Sequence, residues 1–300
     1  MSRPVSPGAH CLDYTEAMTF TGAIGYVFNI PLRAIIWTCV KLRIHPNVLT
    51  ITGVLLNVVA AWELALGHFF SAGWWMVAAN MFDFIDGKVA HEAGVASEFG
   101  GFWDSVMDRF SDISLFIGMI ALYNERGTGH GDYVLITSLA MMFSVLTSYT
   151  RARAESVIEK CKVGFMERPE RIVLFMIGAF TNRMAAVLWV ILVLSVVTVL
   201  ARIYFTWREL KAGRSLVAIQ DGTAPAPIPS TQMGTVQRVM TLPVLVIWRG
   251  LFWTYERAGW QYDIMVIAIL AFVWGTPARF LGDPMAMAGR GLFQWMLGLQ

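Results

Sequence analysis

Four aspartates constrain this chain more than any other feature. They stand in Asp83-x-x-Asp86-Gly87-x-x-Ala90 and in Gly100-x-x-x-Asp104-x-x-x-Asp108. The residues around them are mostly apolar: SAGWWMVAANMFDFIDGKVAHEAG holds the first pair and GFWDSVMDRFSDISLFIGMIALY the second. A carboxylate in hydrocarbon is costly, so four together require a compensating cation or a polar cavity. The first expectation is therefore a divalent metal site at a membrane boundary.

Spacing sharpens that expectation. Asp83, Asp86, Gly87 and Ala90 fall at i, i+3, i+4 and i+7, along one helix face. Gly100, Asp104 and Asp108 recur every fourth residue and share a face of the next helix. Two such helices joined by a short loop are antiparallel neighbours whose carboxylates converge near the loop. Hard oxygen ligands of this kind suit Mg²⁺ or Mn²⁺. Gly87 and Gly100 remove side chains where something bulky, such as a nucleotide, approaches. The plainer alternative is a set of Asp–Arg pairs that stabilise a helix bundle.

Composition supports the membrane. Hydrophobic residues make up 56% of the 300 and charged residues only 15%, where soluble domains carry about a quarter. A net charge of +2, with neither a basic tail nor a Gly-rich phosphate loop, gives no support for a nucleic-acid partner. Cys11, Cys39 and Cys161 lack the spacing of a zinc site or a disulfide framework. Residues 1–23 are polar and lack the apolar core of a cleavable signal peptide.

Apolar runs predict an all-α integral membrane protein with six transmembrane helices, near 47–68, 71–91, 99–123, 133–158, 170–182 and 184–206. Segment 24–43 is interrupted by Pro31 and Arg33 and reads as an amphipathic helix lying in the interface before them. Under this arrangement Arg33, Lys41, Arg43, Lys88, Arg109, Arg151, Arg153, Lys160, Lys162, Arg168, Arg171, Arg208, Lys211 and Arg214 fall on one side. Only Arg126 and Arg183 fall on the other. The positive-inside rule then turns the aspartate end toward the cytoplasm of a multi-pass protein of the cell (inner) membrane. The six-helix unit is expected over 44–210 and a Pro-, Ala- and Thr-rich linker over 211–235. A helical, membrane-associated extension over 236–300 includes an apolar run at 262–275 that is short for a span. That run is expected to be re-entrant, interfacial or packed on the bundle.

The aspartate stretch resembles the signature of the CDP-alcohol phosphotransferase family, D-x2-D-G-x2-A-R-x8-G-x3-D-x3-D. Asp83, Asp86, Gly87, Ala90, Gly100, Asp104 and Asp108 match with every gap correct, and His91 stands where the family usually has Arg. The resemblance covers about 24–210. It implies the six-helix fold with its interfacial helix, a cytoplasmic-side active site, a homodimer and a CDP-linked lipid, CDP-diacylglycerol, as donor. It also implies that Asp83, Asp86 and Asp104 bind the metal beside Asp108, which takes the proton from the acceptor hydroxyl. Gly87 and Ala90 would leave room for cytidine beside Gly100. His45-Pro46-Asn47-Val48-Leu49-Thr50 is similar to the family's P-N-x-x-T element, so Asn47 and Thr50 are expected nucleotide or phosphate contacts. A Pro-initiated helix start explains the same residues without a ligand. His91 replaces a phosphate-contacting Arg with a side chain that is charged only part of the time near neutral pH.

The acceptor is addressed by a second cluster, SYTRARAE at 148–155 and ERPER at 167–171. Guanidinium groups beside a metal site suit a phosphorylated polyol, because they grip phosphate bidentately. Arginines at a membrane edge also arise from topology or from binding anionic membrane lipid, and Arg151 and Arg153 do not share a helix face. The stretch is similar to the phosphatidylinositol-phosphate synthase branch, in which the positions of Ser148, Arg151, Arg153, Arg168 and Arg171 line the acceptor pocket. The resemblance thus implies transfer of a phosphatidyl group to inositol 1-phosphate. Phosphatidylglycerophosphate synthesis is the nearest alternative, and a divalent-cation transporter the alternative of another class.

Overall fold

A computed structural model describes residues 35–125, 131–213, 216–217, 260–276 and 280–281. Every regular element among them is helical. A short helix α1 (35–41) precedes α2 (Pro46–Leu66), α3 (Phe69–Glu92), α4 (Glu98–Glu125), α5 (Gly131–Glu155), α6 (Arg168–Thr181), α7 (Met184–Lys211) and α8 (Trp260–Gly275). The polar N-terminal segment, the first part of the expected interfacial helix and most of the linker lie outside the described residues. So does the extension apart from 260–276 and 280–281.

Local chemistry explains where the helices start and stop. Pro46 opens α2, and the His45 ring accepts from the Asn47 N–H at 3.2 Å. Gly67 closes α2 at φ 81, a left-handed conformation that a Cβ would disfavour. Ser97 caps α4 by accepting from the Gly100 N–H at 3.1 Å. Asn182 ends α6 in the left-handed region at φ 54, leaving only Arg183 before α7 begins.

The outer surface of α2 is unlike that of a water-soluble bundle. On α2 the outward stripe Val48, Ile51, Leu55, Val58 and Trp62 is exposed and wholly apolar. The buried face carries small residues, Gly53, Ala60 and Ala61, beside Leu49 and Leu64. Small inner residues let membrane helices approach closely while large apolar ones meet lipid. The closest approach is at Gly118 of α4, where any Cβ would collide with the Ala61 carbonyl of α2. α2, α3 and α4 form one packed group, α5 packs on α7, and α6 lies against α3 and α7. One apolar core runs through them, from Leu64 and Met76 to Phe116, Phe175 and Leu188.

Among the described residues, three helices have the length and apolar composition to cross a membrane: Pro46–Leu66, Asp132–Glu155 and Met184–Lys211. α3 and α4, at 24 and 28 residues, have the length but carry the aspartates. α6 has 14 residues, a rise of about 21 Å against a hydrocarbon core of about 30 Å. The apolar run at 262–275 packs on the bundle as α8, with Ile269 and Val273 buried in the common core. Arg183 Nη1 donates to the carbonyls of Val273, at 3.1 Å, and Thr276, at 2.8 Å. At the other end of α8, Tyr262 meets Phe165 with ring centroids 5.3 Å apart.

Candidate active site

The last turns of α3 and the first turns of α4 bring the aspartates together. Oxygens of Asp83, Asp104 and Asp108 lie within 4.8 Å of one another, each residue half-buried. Three carboxylates at this separation repel one another unless a positive charge stands between them. Asp108 Oδ1 is buried and has no hydrogen-bond partner, although Arg168 Nη1 lies 3.0 Å away. An all-oxygen donor set with an unsatisfied carboxylate oxygen fits a divalent ion of the Mg²⁺ or Mn²⁺ type. Asp86 stands beside this triad and is 5% exposed, with Thr50 Oγ1 2.5 Å from its Oδ2. The nearer partner takes the Thr50 proton, since the Pro46 carbonyl lies at 3.2 Å.

Arginine supplies the charge within the protein itself. Arg168, at the first position of α6, places Nη1 2.7 Å from Asp83 Oδ2 and Nε 3.6 Å from Asp112 Oδ1. One turn further on, Arg171 is 2% exposed and donates to Asp112 Oδ2 at 2.6 Å and to Thr147 Oγ1 at 3.0 Å. Arg151 reaches Glu155 and Glu167, each at 3.2 Å. Arg153 is exposed and bonds Ser156 Oγ at 3.2 Å. The expected acceptor arginines therefore separate. Arg168 stands at the aspartates, Arg171 is locked beneath them, Arg151 is tied to the loop before α6, and Arg153 points away from that group. Ser148, half-buried, is three residues before Arg151 on α5.

Among the remaining expected contacts, Thr50 is already engaged with Asp86, and Asn47 sits half-buried in the first turn of α2. Gly87 faces open space: beyond its own stretch of helix, no described atom lies within 4 Å of where its Cβ would stand. A Cβ on Gly100 would meet only its own cap, Ser97 Oγ, at 3.2 Å. Ala90 is half-buried and His91 exposed on the last turn of α3.

Three participants escaped the sequence reading. Asp112 continues the i+4 series of Asp104 and Asp108 and is visible there as a further step. Arg202, a lone charge in the apolar body of α7, is 2% exposed. It donates to the carbonyls of Val163 and Thr147 and to Glu167 Oε1, which it reaches at 3.3 Å. Glu167 thereby joins Arg202 to Arg151 immediately before Arg168.

A sequence profile of the CDP-alcohol phosphatidyltransferase family matches residues 43–207, more than half of the chain. The chain belongs to the CDP-alcohol phosphatidyltransferase family. An archaetidylinositol phosphate synthase from Pyrococcus horikoshii is 35% identical over 184 residues, covering 61% of this chain and 94% of that one. A phosphatidylinositol phosphate synthase from Mycobacteroides abscessus is 34% identical over 167 residues, covering 53% of this chain and 76% of that one. Among solved structures, Mycobacterium tuberculosis phosphatidylinositol phosphate synthase with CDP-DAG bound superposes with a TM-score of 0.55 at 27% identity. That match covers 63% of this chain and 96% of the other. The same enzyme in complex with manganese and citrate gives a TM-score of 0.55 at 26% identity, over 69% and 98%. Membership of a transferase family sets aside the cation-transporter alternative. The matched region ends before α8.

Proposed function

We propose that this transferase moves the phosphatidyl group of CDP-diacylglycerol to inositol 1-phosphate, giving phosphatidylinositol phosphate and CMP. The observation that carries this reading is Arg168, a guanidinium set directly on the carboxylates of the family motif. A phosphorylated acceptor needs such a group beside the donor site. Free inositol, choline or ethanolamine does not.

Asp83, Asp86, Asp104 and Asp108 would hold the divalent ion, which when bound neutralises the diphosphate and the charge that leaves with CMP. Thr50 fixes the orientation of Asp86 through its hydroxyl. Gly87 leaves its face of α3 open to the cytidine. Asp108, with one oxygen free of hydrogen bonds, takes the proton from the acceptor hydroxyl. The acceptor oxygen then bonds to the lipid-side phosphorus, and the P–O bond to CMP breaks with its electron pair leaving on CMP. Arg168 and Arg151 grip the acceptor's own phosphate, with Ser148 on the same helix as Arg151. Asn47, Ala90, Gly100 and His91 border the nucleotide.

The same reading takes α2 to α7 as six crossing helices of a homodimer in the cell membrane, with the aspartates at the cytoplasmic face. The arginine and lysine distribution and the apolar outer stripe of α2 support it. Release of CMP by the protein in detergent or nanodiscs, with Mg²⁺ and CDP-diacylglycerol, tests the acceptor. Inositol 1-phosphate should support turnover, and free inositol should not. Turnover with glycerol 3-phosphate alone would replace this reading with phosphatidylglycerophosphate synthesis. The archaetidylinositol phosphate relative makes a CDP-linked ether lipid the second donor to try.

A further inference from the structure

Arg168 binds the carboxylates that an ion would need. Its Nη1 donates to Asp83 Oδ2 at 2.7 Å and stands 3.0 Å from Asp108 Oδ1, and both residues belong to the triad. Its Nε is buried without a hydrogen-bond partner, and so is Asp112 Oδ1, 3.6 Å away. Two unsatisfied groups of opposite charge thus face each other just beyond bonding distance. A shift of the guanidinium by roughly half an ångström toward Asp112 would close that gap to an ordinary charge-assisted bond. Asp112 itself stays in place during such a shift, because Arg171 grips its other oxygen at 2.6 Å and is held in turn by Thr147.

We propose that Arg168 has two seats, one on Asp83 and Asp108 and one on Asp112, and that it competes with the divalent ion for the first. The ion and the guanidinium are both cations seeking the same carboxylates, so each weakens the other there. An ion on the triad sends Arg168 to Asp112, and its Nη groups, given up by Asp83 and Asp108, are left for the acceptor's phosphate. A phosphate anion that draws Arg168 away frees the triad for the ion. Metal and acceptor therefore bind cooperatively, and by linkage each raises the other's affinity by the same factor. This deepens the function proposed above and rests on the phosphate role given there to Arg168.

Equilibrium binding of Mn²⁺ to the full-length protein, followed by the paramagnetic signal of the free ion and without donor lipid, tests the idea. Arg168→Gln should bind Mn²⁺ at least about fivefold more tightly than the wild type, the low end of ordinary site–site coupling. Arg168→Lys, which restores one positive charge, should fall between them. Inositol 1-phosphate should tighten Mn²⁺ binding to the wild type and have no such effect on Arg168→Gln. Unchanged or weaker Mn²⁺ binding in Arg168→Gln overturns the two-seat proposal while leaving the metal site intact. Mn²⁺ binding that is indifferent to Asp83→Asn and Asp108→Asn overturns the metal reading and the proposal with it.

Discussion

Thr50 Oγ1 and Asp86 Oδ2 lie 2.5 Å apart and join the first turn of α2 to the aspartate end of α3. Asp86 is buried, so this hydroxyl, with the Gly87 backbone N–H, offsets the loss of water around its carboxylate. Thr50→Val keeps the shape and removes the donor. It should lower CMP release by about 10–100-fold, the equivalent of roughly 1.5–3 kcal/mol for a hydrogen bond to a charged group. Thr50→Ser should retain most activity. Steady-state rates at saturating donor separate the two variants.

Arg171 and Asp112 should behave as structural partners. Both are buried, and their contact at 2.6 Å links α6 to α4. Removing one partner strands a buried charge, at a cost of about 3–5 kcal/mol. Arg171→Met should therefore lower thermal stability sharply, and Asp112→Leu should do the same. The double variant Arg171→Met/Asp112→Leu should recover much of that loss. Melting of the purified variants by intrinsic fluorescence measures it. Recovery in the double variant would show that the two buried charges chiefly compensate each other.

The carboxylate cluster was legible in the sequence because helical spacing alone aligns Asp83, Asp104 and Asp108 on adjacent antiparallel helices. The arginine half was only partly legible. Arg168 and Arg171 are three residues apart and look equivalent in sequence, yet one meets the triad and the other is enclosed with Asp112 and Thr147. That division depends on how α6 packs between its neighbours, which spacing within α6 does not encode. Arg202 carried a usable signal. A solitary charge in the body of the most apolar of the three candidate spans calls for a buried partner, and Glu167 is that partner.

Arg151 and Arg153 give opposite expectations from one short sequence. Arg151 is held by Glu155 and Glu167 on the side of the loop that leads into Arg168. Arg153 is exposed and bonds Ser156 Oγ in its own turn. Arg151→Ala should raise the acceptor KM by about tenfold or more, as expected for loss of a charge-assisted phosphate contact. Arg153→Ala should change it by less than about threefold. Acceptor titrations at fixed donor compare them, and equal effects would return Arg153 to the acceptor pocket.

Cys161 lies in the connection between α5 and α6 and is fully buried. Burial pushes its thiol above the ordinary value, with Arg202 acting in the opposite direction. A raised value means that the folded state holds the proton more tightly than the unfolded chain. The stability tied to this group is thus complete below the ordinary thiol range and is lost as pH climbs through and beyond it. At neutral pH maleimide should leave Cys161 unmodified in the folded protein and label it after denaturation, as peptide mass spectrometry would record. Rapid labelling of the native protein would show that the loop opens.

Arg183 fastens α8 to the bundle. Its guanidinium takes two of the carbonyls at the end of that helix, and those groups have no partner within the helix. Tyr133 on α5 adds a bond to the Leu281 carbonyl just beyond. Arg183→Ala should leave those carbonyls unpaired and fray the end of α8. Backbone amide exchange at 270–276 should rise by about tenfold, as for the loss of roughly one charge-assisted hydrogen bond. CMP release should stay within about threefold of the wild type, because α8 lies outside the family match and Arg183 holds only its far end, Val273 and Thr276, at the opposite end of α6 from Arg168. Exchange and turnover measured on the same preparation decide the point. A large fall in turnover alongside faster exchange would mean that α8 supports the active site through α6.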